Sequence, residues 1–241
     1  MRKADFNYID HYKTDAREFD YFVERTGATA HDERRVHEYI MSEVDVKQGK
    51  ILDVGAGNAW IAEHYIKKGF EVVSMDISLV NLKKAKEKVP HPHHSCVSSD
   101  AFSLPYKDSS FDLVVASEVI EHVHDPEGFV KELSRVVKKG GQLIITTPYK
   151  EKLQYSLCIH CNKPTPLHAH IHSFDEKILA SLFKDVEHDK LEWETFGNKI
   201  LIFARTYVIM KIFPFPLWKF KDKAANFLYN LPAHIIVKCT R

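Results

Sequence analysis

Three groups of residues in this 241-residue chain have the types and spacing that chemistry needs. The first is Asp53 with Gly55 and Gly57, in I-L-D-V-G-A-G-N-A-W at residues 51 to 60. A glycine turn after a buried strand offers bare backbone N–H groups, the usual cradle for phosphate. A carboxylate two residues upstream repels phosphate and favours a cation. A dinucleotide fold wants a third glycine so that helix and strand pack closely. Trp60 stands in that place, which argues against NAD and an NAD-dependent oxidoreductase. Asp76 ends the next apolar run, E-V-V-S-M-D, at about the twenty-residue distance where a carboxylate accepts both ribose hydroxyls. A ligand with positive charge, a ribose and no phosphate is S-adenosylmethionine, a sulfonium and an ammonium on an adenosine.

The second group is E-V-I-E-H, Glu118 to His122, directly after the apolar run F-D-L-V-V-A-S. A sulfonium methyl is already an activated electrophile, so a site's main work is alignment with a nucleophile. A base is needed only where the acceptor must lose a proton. The third group is C-I-H-C-N-K-P-T-P-L-H-A-H-I-H-S-F, residues 158 to 174. Thiolates at C-x-x-C spacing, Cys158 and Cys161, form the usual first half of a tetrahedral zinc site. The second half would come from two of His168, His170 and His172, which share one side of an extended strand. The expected zinc ligands are Cys158, Cys161, His170 and His172, and the zinc would staple a lid over the acceptor side of the crevice. No βαβ context surrounds the cysteines, which argues against a thioredoxin-like pair. His91, His93 and His94 read as a solvated loop. Cys96 and Cys239 read as small buried strand residues.

The elements that must position these groups follow from apolar periodicity. The first 45 or so residues read as helical, with Thr29 and Asp32 as a capping box and Val36, Tyr39, Ile40 and Val44 on one face. Residues 51–54, 71–76, 95–100, 111–117 and 142–148 read as strands. Helices between them run through Ile61 and Tyr65, through Leu82, Ala85 and Val89, and through Phe129, Leu133, Val136 and Val137, the last ending at Lys139-Gly140-Gly141. Continuous apolar strands alternating with amphipathic helices predict a parallel sheet covered on both faces. The ligand crevice then lies at the carboxyl ends of the strands. Further strands are expected at 191–196 and 234–239.

Taken together, L-D-V-G-A-G-N-A-W, M-D-I-S, S-S-D-A-F-S-L-P-Y-K-D-S-S-F-D-L-V-V-A-S-E-V-I-E-H-V-H-D-P and R-V-V-K-K-G-G-Q-L-I-I-T-T-P resemble the successive motifs of class I S-adenosylmethionine-dependent methyltransferases. The resemblance covers roughly residues 30–150 and is specific, because several motifs keep their order and spacing. It implies an α/β, doubly wound, mostly parallel seven-stranded sheet of Rossmann-like methyltransferase type, its last strand (234–239) antiparallel. It places the turn of Gly55, Ala56, Gly57 and Asn58 under the methionine portion, with Asp53 near the ammonium. Asp76, followed by Ile77, would hold the ribose, Asp100 and Ala101 would meet the adenine edge, and Ser117 and Glu118 would line the cofactor. E-V-I-E-H also resembles ubiquinone-pathway O-methyltransferases and small-RNA 2′-O-methyltransferases. In the RNA enzymes such a run plus a later histidine binds a divalent metal that lowers the acceptor's pKa. Here that set would be Glu118, Glu121, His122 and His170. One imidazole rarely serves two metals, and the structural zinc is the favoured use of His170. Glu121, His122 and His170 are the candidate catalytic residues.

Length and composition fit one domain over residues 1–241: a helical segment (1–45), a cofactor core (46–149), a Cys/His-rich insertion (150–172), a helix and strand (173–198), an apolar and basic helical insertion (199–232) and a last strand (233–241). The net charge of +1 and the lack of an RNA-binding appendage argue against a nucleic-acid partner. The polar, charged N-terminus reads as no signal peptide, and four cysteines suit a reducing, cytoplasmic setting. The stretch 199–223 is apolar, but Arg205 and Lys211 interrupt it and Pro214 and Pro216 break it, which rules out a spanning helix. Lys199, Arg205 and Lys211 point three ways on one helical wheel, so no clean in-plane amphipathic helix is expected either. It reads as a helix packed on the sheet, or as a wall for a greasy acceptor that docks on a membrane surface. The expected function is methyl transfer from S-adenosylmethionine to a small or lipid-like acceptor, with oxygen the preferred acceptor atom. The alternative is a non-catalytic cofactor-binding or zinc-containing scaffold.

Overall fold

The β-branched runs form the centre of a seven-stranded sheet in the computed structural model, which describes residues 7–241. Its strands are β1 (Lys50–Val54), β2 (Glu71–Asp76), β3 (His94–Ser98), β4 (Phe111–Ser117), β5 (Val137–Pro148), β8 (Lys190–Asn198) and β9 (Pro232–Thr240). A separate short hairpin pairs β6 (Tyr155–Leu157) with β7 (Pro164–Pro166). The sheet order is β3-β2-β1-β4-β5-β9-β8. The first five strands are parallel, and β9 runs antiparallel between β5 and β8. This is the mostly parallel, seven-stranded arrangement expected from the motifs, with the antiparallel strand where it was placed.

Both faces of the sheet are covered, which is why its strands read as nearly unbroken apolar runs. Leu52, Val54, Val114 and Ala116 pack with α5 (Pro126–Val136) and α6 (Glu176–Leu182). On α5, Phe129, Leu133 and Val136 recur at helical spacing and are fully buried, each stabilising the fold by about 1.5–3 kcal/mol. Ile51, Val72, Val115 and Ile144 face the opposite layer, with α2 (Gly27–Glu43), α3 (Trp60–Tyr65), α4 (Leu79–Lys88) and α9 (Phe215–Leu228). Helix α1 (Tyr8–Glu18) lies over the carboxyl ends of the strands, its Asn7 cap accepting from the Asp10 N–H at 3.2 Å.

Several local expectations change. Helix α2 starts earlier, with Thr26 at its N-cap and no side-chain capping bond, so Thr29 and Asp32 do not form a capping box. Helix α5 stops at Val136, and Val137 already pairs with Phe111. Lys139-Gly140-Gly141 therefore sits inside β5 at a register shift, where Gly140 has φ +75 and a Cβ on Gly141 would meet the Asp112 carbonyl at 2.8 Å. A glycine pair that resembles a helix stop is here a bulge. His94 starts β3 and is buried, its ring nitrogens 2.9 Å from Ser74 Oγ and 2.9 Å from the Val89 carbonyl. It is a structural residue rather than a solvated one, while Cys96 is only half-buried and Cys239 is buried.

The apolar and basic stretch between β8 and β9 folds as three short helices, α7 (Lys199–Phe203), α8 (Tyr207–Met210) and α9. Arg35, fully buried on α2, anchors it by donating to the carbonyls of Met210 (2.7 Å) and Phe213 (3.2 Å) and by lying over Trp218. Buried Asp222 accepts from the Gly197 and Asn198 N–H groups at 3.0 and 2.7 Å. Among the described residues, no helix is long and apolar enough to cross a membrane.

Candidate functional site

Strands β1 and β4 are neighbours, yet the chain continues outward from them in opposite directions. Such a switch point leaves a crevice at the strands' carboxyl ends. A cleft of about 210 Å³ opens there, lined by Gly55, Asp76, Asp100, Phe102 and Glu118 among others. Alternation along β1 puts Asp53 on the face of Ile51. Asp53 is 3% exposed, and its Oδ2 is buried without a hydrogen-bond partner. Burial, reinforced by the nearby Asp76, lifts its carboxyl to about 8. A buried carboxyl left unmatched is costly, and a cation would satisfy it.

Gly55 turns the chain with φ +70, and a Cβ there would come within 2.7 Å of Val119 Cγ2. Only a bare backbone fits at the cleft floor. Asp76 accepts from the Ser78 N–H at 2.8 Å and from Asn81 Nδ2 at 3.5 Å, and burial raises its pKa. Gly57, Ile77, Asp100 and Ala101 also line the cleft. Asp100 accepts from the Phe102 N–H at 3.0 Å and from the Tyr8 hydroxyl.

Four expected cofactor residues lie outside the cleft lining, the first being Asp53, buried in β1 behind the turn. Ala56 is buried within the turn, Asn58 Nδ2 donates to Glu33 at 3.3 Å, and Ser117 Oγ meets Thr146 Oγ1 at 3.2 Å. Their side chains are absent from the cleft lining. The orphaned carboxylate, the glycine floor and Asp76 nevertheless fit a cationic nucleoside, as S-adenosylmethionine is.

Glu118 adopts φ +54 at the cleft wall. One of its carboxylate oxygens lies 3.3 Å from His234 Nδ1, and the other is buried with no hydrogen-bond partner. His234 Nε2 lies 3.0 Å from Asp32. Burial alone would lower the pKa of His234, but Glu118 and Asp32 outweigh it and raise the pKa well above the usual value. In the sequence Asp32 reads only as a capping residue and His234 belongs to no motif, so no motif announces their pairing or the wall that α1 supplies. Tyr8, Tyr12 and Asp15 of α1, with Tyr21 just beyond it, close the cleft. The only sequence signal for that wall is the crowding of tyrosines in the first helical segment.

A second, larger cleft of about 870 Å³ adjoins the first and shares Tyr12, Asp15, Tyr21 and His122 with it. His11, Phe19, Leu167 and His170 also line it. At the junction, buried Glu121 accepts from Thr147 Oγ1 at 3.0 Å and sits 3.8 Å from His122 Nε2. The His122 and His170 rings meet edge to face, 4.7 Å between centroids. Ligand atoms of Glu121, His122 and His170 all lie within 4.8 Å of one another. Burial, then the proximity of Glu118, pushes the Glu121 carboxyl well above the usual range. Burial, then the neighbouring His170, lowers His122 to about 4, so its imidazole is neutral near pH 7. His122 Nδ1 is 3.3 Å from the Ala169 carbonyl, which makes Nδ1 the donor and leaves Nε2 with a lone pair.

The expected four-ligand set of Cys158, Cys161, His170 and His172 does not assemble. The cysteines sit at the tip of the β6–β7 hairpin, with the Cys158 N–H bonded to the Lys163 carbonyl and the Asn162 N–H to the Cys158 carbonyl. His170 lies instead beside His122 and 2.5 Å from Glu151. The three histidines do not share an extended strand, because His168 and Ala169 both take positive φ in a 3-10 turn. Ile171 and His172 then donate their N–H groups to the Glu121 carbonyl, at 2.9 and 3.2 Å. Among the described residues, Glu121, His122 and His170 are the group whose ligand atoms converge, and neither cysteine belongs to it.

Residues 52–145 match the family profile of a methyltransferase domain. A demethylmenaquinone methyltransferase of Streptomyces griseus is 38% identical over 107 residues, 44% of this chain and 46% of that protein. A ubiquinone biosynthesis O-methyltransferase of Xanthomonas oryzae is 27% identical over 128 residues, 51% of this chain and 52% of that one. The match thus spans about half the length of these relatives. Among solved structures, a Haemonchus contortus phosphoethanolamine N-methyltransferase in complex with S-adenosylmethionine superposes with a TM-score of 0.62 at 16% identity, over 92% of this chain and 59% of that one. That likeness is one of fold. The matched segment spans the glycine turn, Asp76 and the E-V-I-E-H run, so it is residues 52–145 that are similar to a methyltransferase domain, on a fold shared with solved methyltransferases.

Proposed function

We propose that this protein transfers a methyl group from S-adenosylmethionine to an oxygen of a small, lipid-like acceptor, a hydroxylated ring of the quinol type. The observation that carries the reading is the buried, unmatched Asp53 carboxyl beside the bare Gly55 turn, one strand from Asp76. Asp53 meets the ammonium of the cofactor, Asp76 its ribose hydroxyls, and Asp100 and Ala101 its adenine. The quinone pathways named for the two relatives, one of them an O-methyltransferase, support an aromatic acceptor. So does the second cleft, where Phe19 and Leu167 stand beside polar His122 and His170.

The acceptor lies in the larger cleft with its hydroxyl toward His122. Its oxygen attacks the methyl in line with the carbon–sulfur bond. The carbon–oxygen bond forms as the carbon–sulfur bond breaks, and sulfur keeps the electron pair as neutral S-adenosylhomocysteine. The hydroxyl proton passes to Nε2 of neutral His122. Glu121 and His170 flank that ring and fix its place, and the Glu118 carboxylate favours the charge it gains. The wall of Tyr8, Tyr12 and Tyr21 excludes water from the sulfonium. Four free cysteines fit a reducing, cytoplasmic setting.

The converging ligand atoms of Glu121, His122 and His170 favour one second reading, in which the three hold a divalent cation. Such an ion would lower the pKa of the acceptor hydroxyl in place of a base. One experiment tests both. Labelled S-adenosylmethionine is incubated with a panel of catechols and quinols, before and after chelation. Transfer that survives chelation supports His122 as the base, and transfer lost to chelation and restored by added Zn²⁺ or Mn²⁺ supports the ion. No transfer to any acceptor in the panel or in cell extract removes the enzymatic reading.

A further inference from the structure

Half of the large apolar side chains exposed among the described residues lie between Phe203 and Leu231. That segment contains five basic residues but only one carboxylate, Asp222, which is fully buried. Helix α9 explains the imbalance. Its inner face, Trp218 and Asp222, is turned to α2 and β8. Leu217, Phe220, Ala224, Phe227 and Leu228 recur at three- and four-residue spacing and form a second apolar stripe, opposite the first. Phe220 is 70% exposed and Phe227 89% exposed. Phe203 and Ile212, in the preceding helix and turn, are exposed to a similar degree. The single-wheel reading missed this because the segment breaks at Arg205, where φ is +54, and again before Pro214.

The charges that the segment itself exposes are of one sign. Lys219 and Lys223 pair with Glu194. Arg205, Lys211 and Lys221 stand exposed. An apolar stripe rimmed by cations suits a surface that offers hydrocarbon below and anions above. A groove lined by Tyr207, Val208 and Lys211 runs from this surface to Arg25 and Thr26, which also line the larger cleft. Phe19 and Val23, both exposed, line that same cleft.

We infer that the α7–α9 segment docks the protein on an anionic lipid bilayer, with Phe220 and Phe227 in the acyl boundary and Arg205, Lys211 and Lys221 on the headgroups. The docked face continues to the mouth of the larger cleft. Given the methyl-transfer reading above, docking delivers a membrane-dissolved acceptor to that mouth. Docking itself does not depend on that reading, and its test reads binding without turnover.

Full-length protein is co-sedimented with phosphatidylcholine vesicles containing 40% phosphatidylglycerol (about 40%, a strongly anionic surface) and with pure phosphatidylcholine vesicles. The anionic vesicles should take up at least about tenfold more protein, and high salt should release it. The double variant Phe220→Asp/Phe227→Asp should lose that binding while its melting temperature and S-adenosylhomocysteine affinity stay at the wild-type values. Lys211→Glu/Lys221→Glu should lose only the preference for anionic lipid. Wild-type binding retained by both variants overturns the inference. So does wild-type protein that ignores vesicles but dimerises through this face, seen as dissociation of the dimer by the same aspartates. Loss of cofactor affinity in the wild type would count against the methyl-transfer reading alone.

Discussion

His234, on the last strand of the sheet, holds Nδ1 3.3 Å from the carboxylate of Glu118, a residue in left-handed backbone geometry at the cofactor cleft. Asp32 on α2 takes the other ring nitrogen at 3.0 Å. The two carboxylates raise the folded pKa of His234 well above its unfolded value. The resulting stability is fully present below the unfolded pKa, near 6.5, and is lost as pH rises through the folded value. His234→Gln should therefore lower the melting temperature most near pH 6, by the equivalent of about 1–2 kcal/mol because Glu118 is partly solvated. The gap to wild type should close as pH rises. Parallel melting curves from pH 6 to 9.5 would remove this role.

On the proposed reading, Asp53 sets cofactor affinity against stability. Its folded pKa, about 8, is raised mainly by burial. A raised carboxyl favours the fold below the unfolded pKa near 4, and that contribution is lost as pH climbs toward 8. Asp53→Asn should thus melt at a higher temperature than wild type at pH 8 without ligand. Calorimetric titration should show its S-adenosylmethionine affinity down at least tenfold, about 1.4 kcal/mol. Unchanged affinity would separate Asp53 from the ammonium.

The floor of the cleft can be tested at one atom. Gly55→Ala places a methyl 2.7 Å from Val119 Cγ2 at a φ of +70. The expected loss is about 1–3 kcal/mol in a denaturant titration. Adding Val119→Ala should restore the part due to collision and leave the part due to backbone strain. A single variant as stable as wild type would contradict the packing described.

At the junction of the two clefts, His122→Ala and Glu121→Gln should lower kcat about 100-fold, the lower range for general acid–base work. The Kd for S-adenosylhomocysteine should stay within about twofold, since neither side chain is assigned a bond to the nucleoside. A kcat near wild type in both variants would assign the trio to structure.

The central sheet and the floor of the cleft could be read from the chain because both depend on local pattern. Runs such as Ile51 to Val54 and Leu143 to Ile145 are apolar on both faces, and Asp53, Gly55 and Asp76 lie within one βαβ unit. Features that depend on distant partners could not be read. His170 meets Glu151 rather than the cysteines, and two positive-φ residues break the alternation that suggested a shared histidine face. His234 is 202 residues from the Asp32 that fixes it, a pairing no spacing announces. Lys139-Gly140-Gly141 misled because glycine ends helices as readily as it makes a bulge.

Helix α1 has one further consequence. Tyr8 is bound to Asp100 in the cofactor cleft, while Tyr12 and Asp15 border both chambers and Tyr12 abuts His122. On the methyl-transfer reading proposed above, displacing this single element would open both chambers together, so nucleoside and product would share one exit.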